Sequence, residues 1–225
     1  MSSRRTVSNV LTLALLGSAT FVVAATYAQQ PSPQISFFIT SAGSGRGANL
    51  GGLQGADAHC AMLAKQAGAA GNRTWRAYLS TQAGNARDRI GKGPWYNAKG
   101  VLVASDVTQL HSASNNLNKQ TALTEKGAVV NGRGDTPNQH DILTGSRPDG
   151  TAYPGFPNQP SMTCGEWTRE ANAFAMVGHH DRLQGTPVTD PWAESWNSSH
   201  LTVSCSKEDL PKSGGAGFFY CFAAD

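Results

Sequence analysis

Three histidines stand in the last third of the chain, in Gly178-His179-His180-Asp181 and in Ser195-Trp196-Asn197-Ser198-Ser199-His200. Imidazole and carboxylate supplied from one loop system are donors that Zn²⁺ or another transition metal takes, and His179, Asp181 and His200 are the candidate ligands. Their spacing reproduces no zinc-enzyme motif. The bland alternative is that these polar groups hydrogen-bond to one another's loops and hold about 40 residues in shape, as long ordered loops require. Trp192 and Trp196 offer ring faces that could stack on a sugar, although burial in a core is the commoner fate of tryptophan. Arg147-Pro148-Asp149-Gly150 is a turn signal in which Asp149 either meets a ligand or caps the turn. Arg133-Gly134-Asp135 is the tripeptide that integrins read, here in a turn, and so short a motif recurs by chance. The sequence holds no Gly-x-Ser-x-Gly, no His-Glu-x-x-His, no phosphate loop and no paired acid and base, so no catalytic residue is assigned.

The elements that must position these residues are short. Ile35–Thr40 is aromatic and β-branched and reads as a strand. Ser41–Gly52 is glycine-rich loop. Gly55–Ala67 is the best helix, with Ala56, Cys60, Leu63 and Ala67 on its buried face, Asp57 in its first turn and Lys65 in its last. Trp75–Ser80 alternates as a strand does, Asn85–Ile90 suits a short helix, and Gly100–Ala104 and Asp141–Gly145 read as strands. Leu110–Thr124 is polar loop with a helical turn. Ser146–Pro160 is a long loop. Cys164–Thr168 and Phe218–Phe222 read as core strands. Most of the remaining residues are loop, and no repeat is visible.

At the N-terminus, Arg4 and Arg5 precede an apolar run, Val10–Ala25, and small residues follow at Thr26-Tyr27-Ala28. This is the pattern of a secretory signal peptide over residues 1–28, with a polar leader at 29–34 and the domain from 35 to 225. The apolar run is short and interrupted for a membrane span, so no integral membrane segment is expected in the mature chain. Loss of Arg4 and Arg5 takes the formal charge from +3 to +1, which leaves no basic face for nucleic acid. Four cysteines in an exported chain imply two disulfides, with three pairings open and no Cys-x-x-Cys pair for zinc. The location implied is periplasmic or secreted.

A resemblance then appears. Gly51-Gly52-Leu53-Gln54-Gly55-Ala56-Asp57-Ala58-His59-Cys60 followed by Trp75-Arg76-Ala77-Tyr78-Leu79-Ser80 resembles the start of the collagen endostatin domain. Cys164-Gly165-Glu166-Trp167-Thr168-Arg169-Glu170 is similar to a later segment of it, and the last two cysteines follow in the same order. A bacterial family of secreted proteins with the same C-type-lectin-like fold, often labelled lectin or of unknown function, resembles the chain more fully. Its likeness adds Ala86-Arg87-Asp88-Arg89-Ile90, Gly93-Pro94-Trp95-Tyr96-Asn97 and Thr144-Gly145, and runs from about Phe37 to Phe222. The resemblance implies an α+β, C-type-lectin-like single domain, loop-rich, with one main N-terminal helix. It also chooses a pairing, Cys60 with Cys221 and Cys164 with Cys205.

The resemblance implies a secreted, non-enzymatic, lectin-like module that binds carbohydrate or another cell-surface ligand on the loops between Ser146 and His200. Asp149, Trp196 and Asn197 are the candidate ligand contacts. Calcium-dependent lectins of this fold use an acceptor-Pro-Asp triplet and Trp-Asn-Asp; here Arg147-Pro148-Asp149 and Trp196-Asn197-Ser198 each lack one oxygen ligand, and calcium needs several. Ca²⁺ or Zn²⁺ are the cofactors to weigh. The alternatives are a structural or adhesive envelope protein without a small-molecule site, and a metal-dependent enzyme built on His179, Asp181 and His200.

Overall fold

A computed structural model describes residues 34–69, 71–154, 161–182 and 195–225. The expected signal peptide, most of the leader and Trp192 lie outside the described residues. The sheet is built around the last strand, and the sequence explains why. Gly215–Ala223 carries Phe218, Phe219, Tyr220, Cys221 and Phe222 in succession, all buried. A continuous apolar run of this kind suits a strand covered on both faces.

In chain order the elements are β1 (Phe37–Ile39), α1 (Gly52–Gln66), β2 (Trp75–Ala77), β3 (Trp95–Tyr96), β4 (Leu102–Ala104), α2 (Val107–Leu110), β5 (Asp141–Leu143), β6 (Met176–His179), β7 (His200–Leu201) and β8 (Gly215–Ala223). Among the described residues the main sheet runs β1-β8-β5-β6-β7, with β2 also paired to β8, and β3 and β4 form a separate ribbon. β8 is antiparallel to β1 and β2 and parallel to β5. The architecture is therefore α+β, loop-rich, with one long helix.

Alternation along the strands divides the core in two. Phe38, Phe219 and Cys221 pack with Ala56, Cys60, Leu63, Trp75 and Trp167 on the side of α1. Phe37, Ile39, Tyr220 and Phe222 pack with Tyr78, Trp95 and Trp196 on the other. Two disulfides lie in the half of the core beside α1, Cys60–Cys221 from α1 to β8 and Cys164–Cys205 across the later loops. Among the described residues no helix is long and apolar enough to cross a membrane.

Two local expectations need correction. α1 starts at Gly52, so Asp57 lies in its second turn. There it meets the guanidinium groups of Arg89 at 2.7 Å and Arg76 at 2.8 Å and accepts from the Ala77 N–H. Cys164–Trp167 is a helical turn, not a strand, and its backbone is left-handed, with φ of 48° at Cys164, 59° at Glu166 and 64° at Trp167. Each such non-glycine residue costs about 1–2 kcal/mol. The turn is held by the disulfide, by Thr163 Oγ1 accepting from Glu166 N, and by the Trp167 indole N–H donating to Ser80 O at 2.8 Å.

Candidate metal centre

β5, β6 and β7 are neighbours, and their ends meet at one corner of the sheet. Asp141 opens β5 and stands opposite His179, the last residue of β6. His200 opens β7 and pairs with Val177. His140 precedes β5, free of the strand's alternation, so its ring turns to the same side as Asp141. Four side chains from three strand ends thus converge: His140, Asp141, His179 and His200.

Asp141 Oδ1 is the hub. It lies 3.2 Å from His140 Nε2, 3.3 Å from His179 Nε2 and 3.3 Å from His200 Nε2. All four donor atoms fall within 4.8 Å of one another. Neither Asp141 oxygen makes a hydrogen bond of good geometry among the described residues, although the side chain is 1% exposed. Three imidazole nitrogens surround one carboxylate oxygen. Ligands at about 2.0–2.1 Å from a tetrahedral zinc are separated by about 3.3–3.4 Å, close to the 3.2–3.3 Å between the three nitrogens and this oxygen.

The carboxylate and the imidazoles of the hub shift one another. Burial pushes the Asp141 carboxyl up, but His179 and His200 beside it, with the charge of His140, outweigh that and hold it below its ordinary value. The Asp141 carboxylate raises His200 in turn, against partial burial. His140 and His179 stack at 4.1 Å between ring centroids, both buried, whereas the His200 side chain is 39% exposed and gives the corner its face to solvent.

Outer partners orient the rings. His200 Nδ1 lies 3.1 Å from Leu201 O, His179 Nδ1 lies 3.2 Å from Ser199 Oγ, and His140 Nδ1 lies 3.4 Å from Asp181 Oδ1. The structure therefore brings together His179 and His200 of the expected set and places Asp181 behind His140 instead of at the centre. His140 and Asp141 were missed from the sequence. The signal was present, a His-Asp pair at the mouth of a β-branched strand, but nothing in the sequence tells that this mouth faces the other two histidines. The donor set is nitrogen-rich and suits a zinc-class ion better than calcium, which takes several oxygens.

The residues expected to touch a sugar are occupied with the fold. Trp196 is 3% exposed, and its ring packs at 4.8 Å from Tyr78 and 5.2 Å from Tyr220. Its face is not open to a ligand. Asn197 is buried, and its amide nitrogen donates to Tyr78 Oη, Arg147 O and Pro148 O. Asp149 is exposed, but Oδ1 accepts from Thr151 N at 3.0 Å and Thr151 Oγ1 at 2.6 Å, the turn-capping role. In Arg133-Gly134-Asp135 the carboxylate is committed inward, to Lys119 Nζ and to Gly132 N. A cleft of about 570 Å³ lined by Asn72, Arg73, Pro94, Tyr96 and Asp225 shares no residue with the histidine corner. No protein-family model matches the chain, and no curated protein matches it either.

Proposed function

We propose that the chain is an exported binding module of C-type-lectin-like fold whose binding centre is a divalent transition-metal site of the zinc class, formed by His140, Asp141, His179 and His200. The observation that carries this reading is the placing of three Nε2 atoms at 3.2–3.3 Å around Asp141 Oδ1. Two disulfides support a life in an oxidising compartment. The helix-to-last-strand bridge, with the motifs around Asp57 and Trp75, supports the lectin-like fold.

In this reading the ion replaces three loose imidazole–carboxylate contacts by four bonds. It clips the ends of β5, β6 and β7 to one another, and the solvent-facing His200 side is where an outside ligand would add an oxygen or nitrogen donor. Glycan screening with and without zinc asks whether sugar hydroxyls are such donors.

The direct test is metal analysis of the purified mature protein, followed by titration of the stripped protein with Zn²⁺ and, as a spectroscopic stand-in, Co²⁺. One ion per chain is expected, with binding abolished in His179→Ala and in Asp141→Asn. Substoichiometric metal together with unsaturable titration would refute the centre.

A further inference from the structure

We propose that the cleft beside the end of β8, which shares no residue with the histidine corner, is a second binding site, and that it takes a neutral, hydroxyl-rich ligand, the end of an oligosaccharide chain, without a metal. The cleft holds about 570 Å³ and is lined by Gln34, Asn72, Arg73, Pro94, Tyr96 and Asp225 among others. That volume falls in the range of about 300–1,000 Å³ found for small-molecule sites.

The walls are fixed before any ligand arrives. In one wall Ser36 N–H donates to Tyr96 O and Tyr96 N–H donates to Ser36 Oγ, both at 2.8 Å. In the other, Ala224 N–H donates to Thr74 O at 2.9 Å, and the Asp225 carboxylate accepts from Thr74 N–H at 3.2 Å. The end of β8 ties the two together: Ala223 N–H donates to Ser36 O at 2.9 Å, and the Trp95 indole N–H donates to Ala223 O at 3.1 Å. Gly93 starts the turn into Pro94 with a φ of 84°, and a Cβ there would stand 2.9 Å from Ser105 O. A preformed wall spares the ligand the entropy of ordering it.

The lining selects the chemistry. Arg73 and Asp225 pair at 3.4 Å, so its two charged side chains offset each other. An anion would meet the carboxylate and a cation the guanidinium. What is left over is polar and uncharged. Among the described residues the amides of Gln34 and Asn72 and the Tyr96 hydroxyl make no hydrogen bond. An amide carries two donors and an acceptor, and a sugar hydroxyl both donates and accepts, so neighbouring hydroxyls match it. The Arg73 guanidinium uses Nη1 on Ile35 O and Nε on Asp225, which leaves Nη2 as a further donor. Tyr96 is half-buried, Pro94 is exposed, and the Tyr96 ring stacks on no other ring among the described residues. A ring with an apolar body and a polar tip is a surface on which the C–H face of a pyranose packs.

A peptide is the competing occupant. Extended peptides bind by adding their main chain to an open strand edge. Here the backbone N–H and O of both Ser36 and Tyr96 are engaged, and Thr74 is paired with Ala224 and Asp225. The free groups of the cleft are side chains, which favours a ligand recognised through hydroxyls.

The test uses the full mature protein, followed by proton–nitrogen NMR in EDTA. The probes are the neutral trisaccharides maltotriose, cellotriose and triacetylchitotriose, with sialyllactose as the anionic and tetra-alanine as the peptide comparator. Expected are saturable shifts at Asn72, Arg73 and Tyr96 with at least one neutral trisaccharide, none at His179 or His200, and the same affinity when zinc replaces EDTA. Tyr96→Ala should lower that affinity about tenfold, and Tyr96→Phe should keep it within about twofold. Asn72→Ala, a change at an exposed position, should lower it about fivefold. Wild-type affinity in both Tyr96→Ala and Asn72→Ala overturns the site, as does saturation of the cleft by tetra-alanine or sialyllactose alone. Absence of cleft shifts with all three neutral trisaccharides at millimolar concentration overturns it too. Saccharide binding that needs zinc and shifts His179 and His200 assigns the sugar to the histidine corner and overturns the cleft. Failure of zinc binding with cleft binding intact supports the cleft and removes the metal reading alone.

Discussion

The inner disulfide offers the most direct measure of how this fold is held. Cys164–Cys205 closes a sequence separation of 41, and Cys60–Cys221 one of 161. In the chain-entropy picture these loops correspond to about 4 and about 5 kcal/mol respectively. All four cysteines are fully buried, so replacement by alanine also leaves space behind and does not lessen the loss. For a domain of this size each kcal/mol moves the thermal midpoint by about 2–4 °C. The paired change Cys164→Ala with Cys205→Ala should then lower the midpoint by about 8–16 °C, and the outer pair of changes by more. Calorimetry with urea titration supplies the numbers. The inner loop contains His179 and His200, so zinc affinity should fall in the inner variant and stay near wild type in a folded outer variant. An inner loss under about 1 kcal/mol, or one exceeding the outer loss, would refute the loop-closure reasoning.

Three further expectations follow from single positions. Gly178 lies between Val177 and His179 where a Cβ would stand 2.0 Å from Trp196 O and 2.3 Å from Asn197 N; Gly178→Ala must force two backbone segments apart, with a loss of about 3 kcal/mol in urea unfolding, and a neutral result would contradict the close approach. Asn197→Ala removes the donor to buried Tyr78 Oη and to Arg147 O and Pro148 O and should cost about 1–3 kcal/mol while isothermal titration finds zinc affinity unchanged; a loss of zinc binding with stability intact would reverse the assignment. Hydrogen bonds from Lys212 and Ser204 hold the Asp209 carboxyl down to about 2. Its folded value lies below the unfolded one of about 4, so the stability it adds is present above about pH 4 and lost as pH falls through about 2. The gap in urea midpoint between wild type and Asp209→Asn should close over that interval, and a gap that survives below pH 2 would count against the assignment.

The local elements were legible wherever a pattern outlasted a few residues. α1 shows its buried face in Ala56, Cys60 and Leu63 because 15 residues give four turns of periodicity. β8 is evident because five consecutive large apolar residues can only be buried. The Cys164–Trp167 turn was misread as a strand because its left-handed backbone is set by the disulfide and by the Trp167–Ser80 bond, both made across long separations. The same physics hid the histidine corner. β5 has three residues and β7 two, too short for any period to show. His140 and Asp141 reach His179 and His200 only because β6 pairs with β5 on one edge and β7 on the other, in one register. A slip of one residue would turn these side chains to opposite faces of the sheet. Trp196 and Asn197 show the reverse case: their types suit a sugar, but the aromatic core on the far face of β8 claims the ring and two loop carbonyls claim the amide. Residue type and spacing determined which groups were available for chemistry; strand register and burial decided which of them meet.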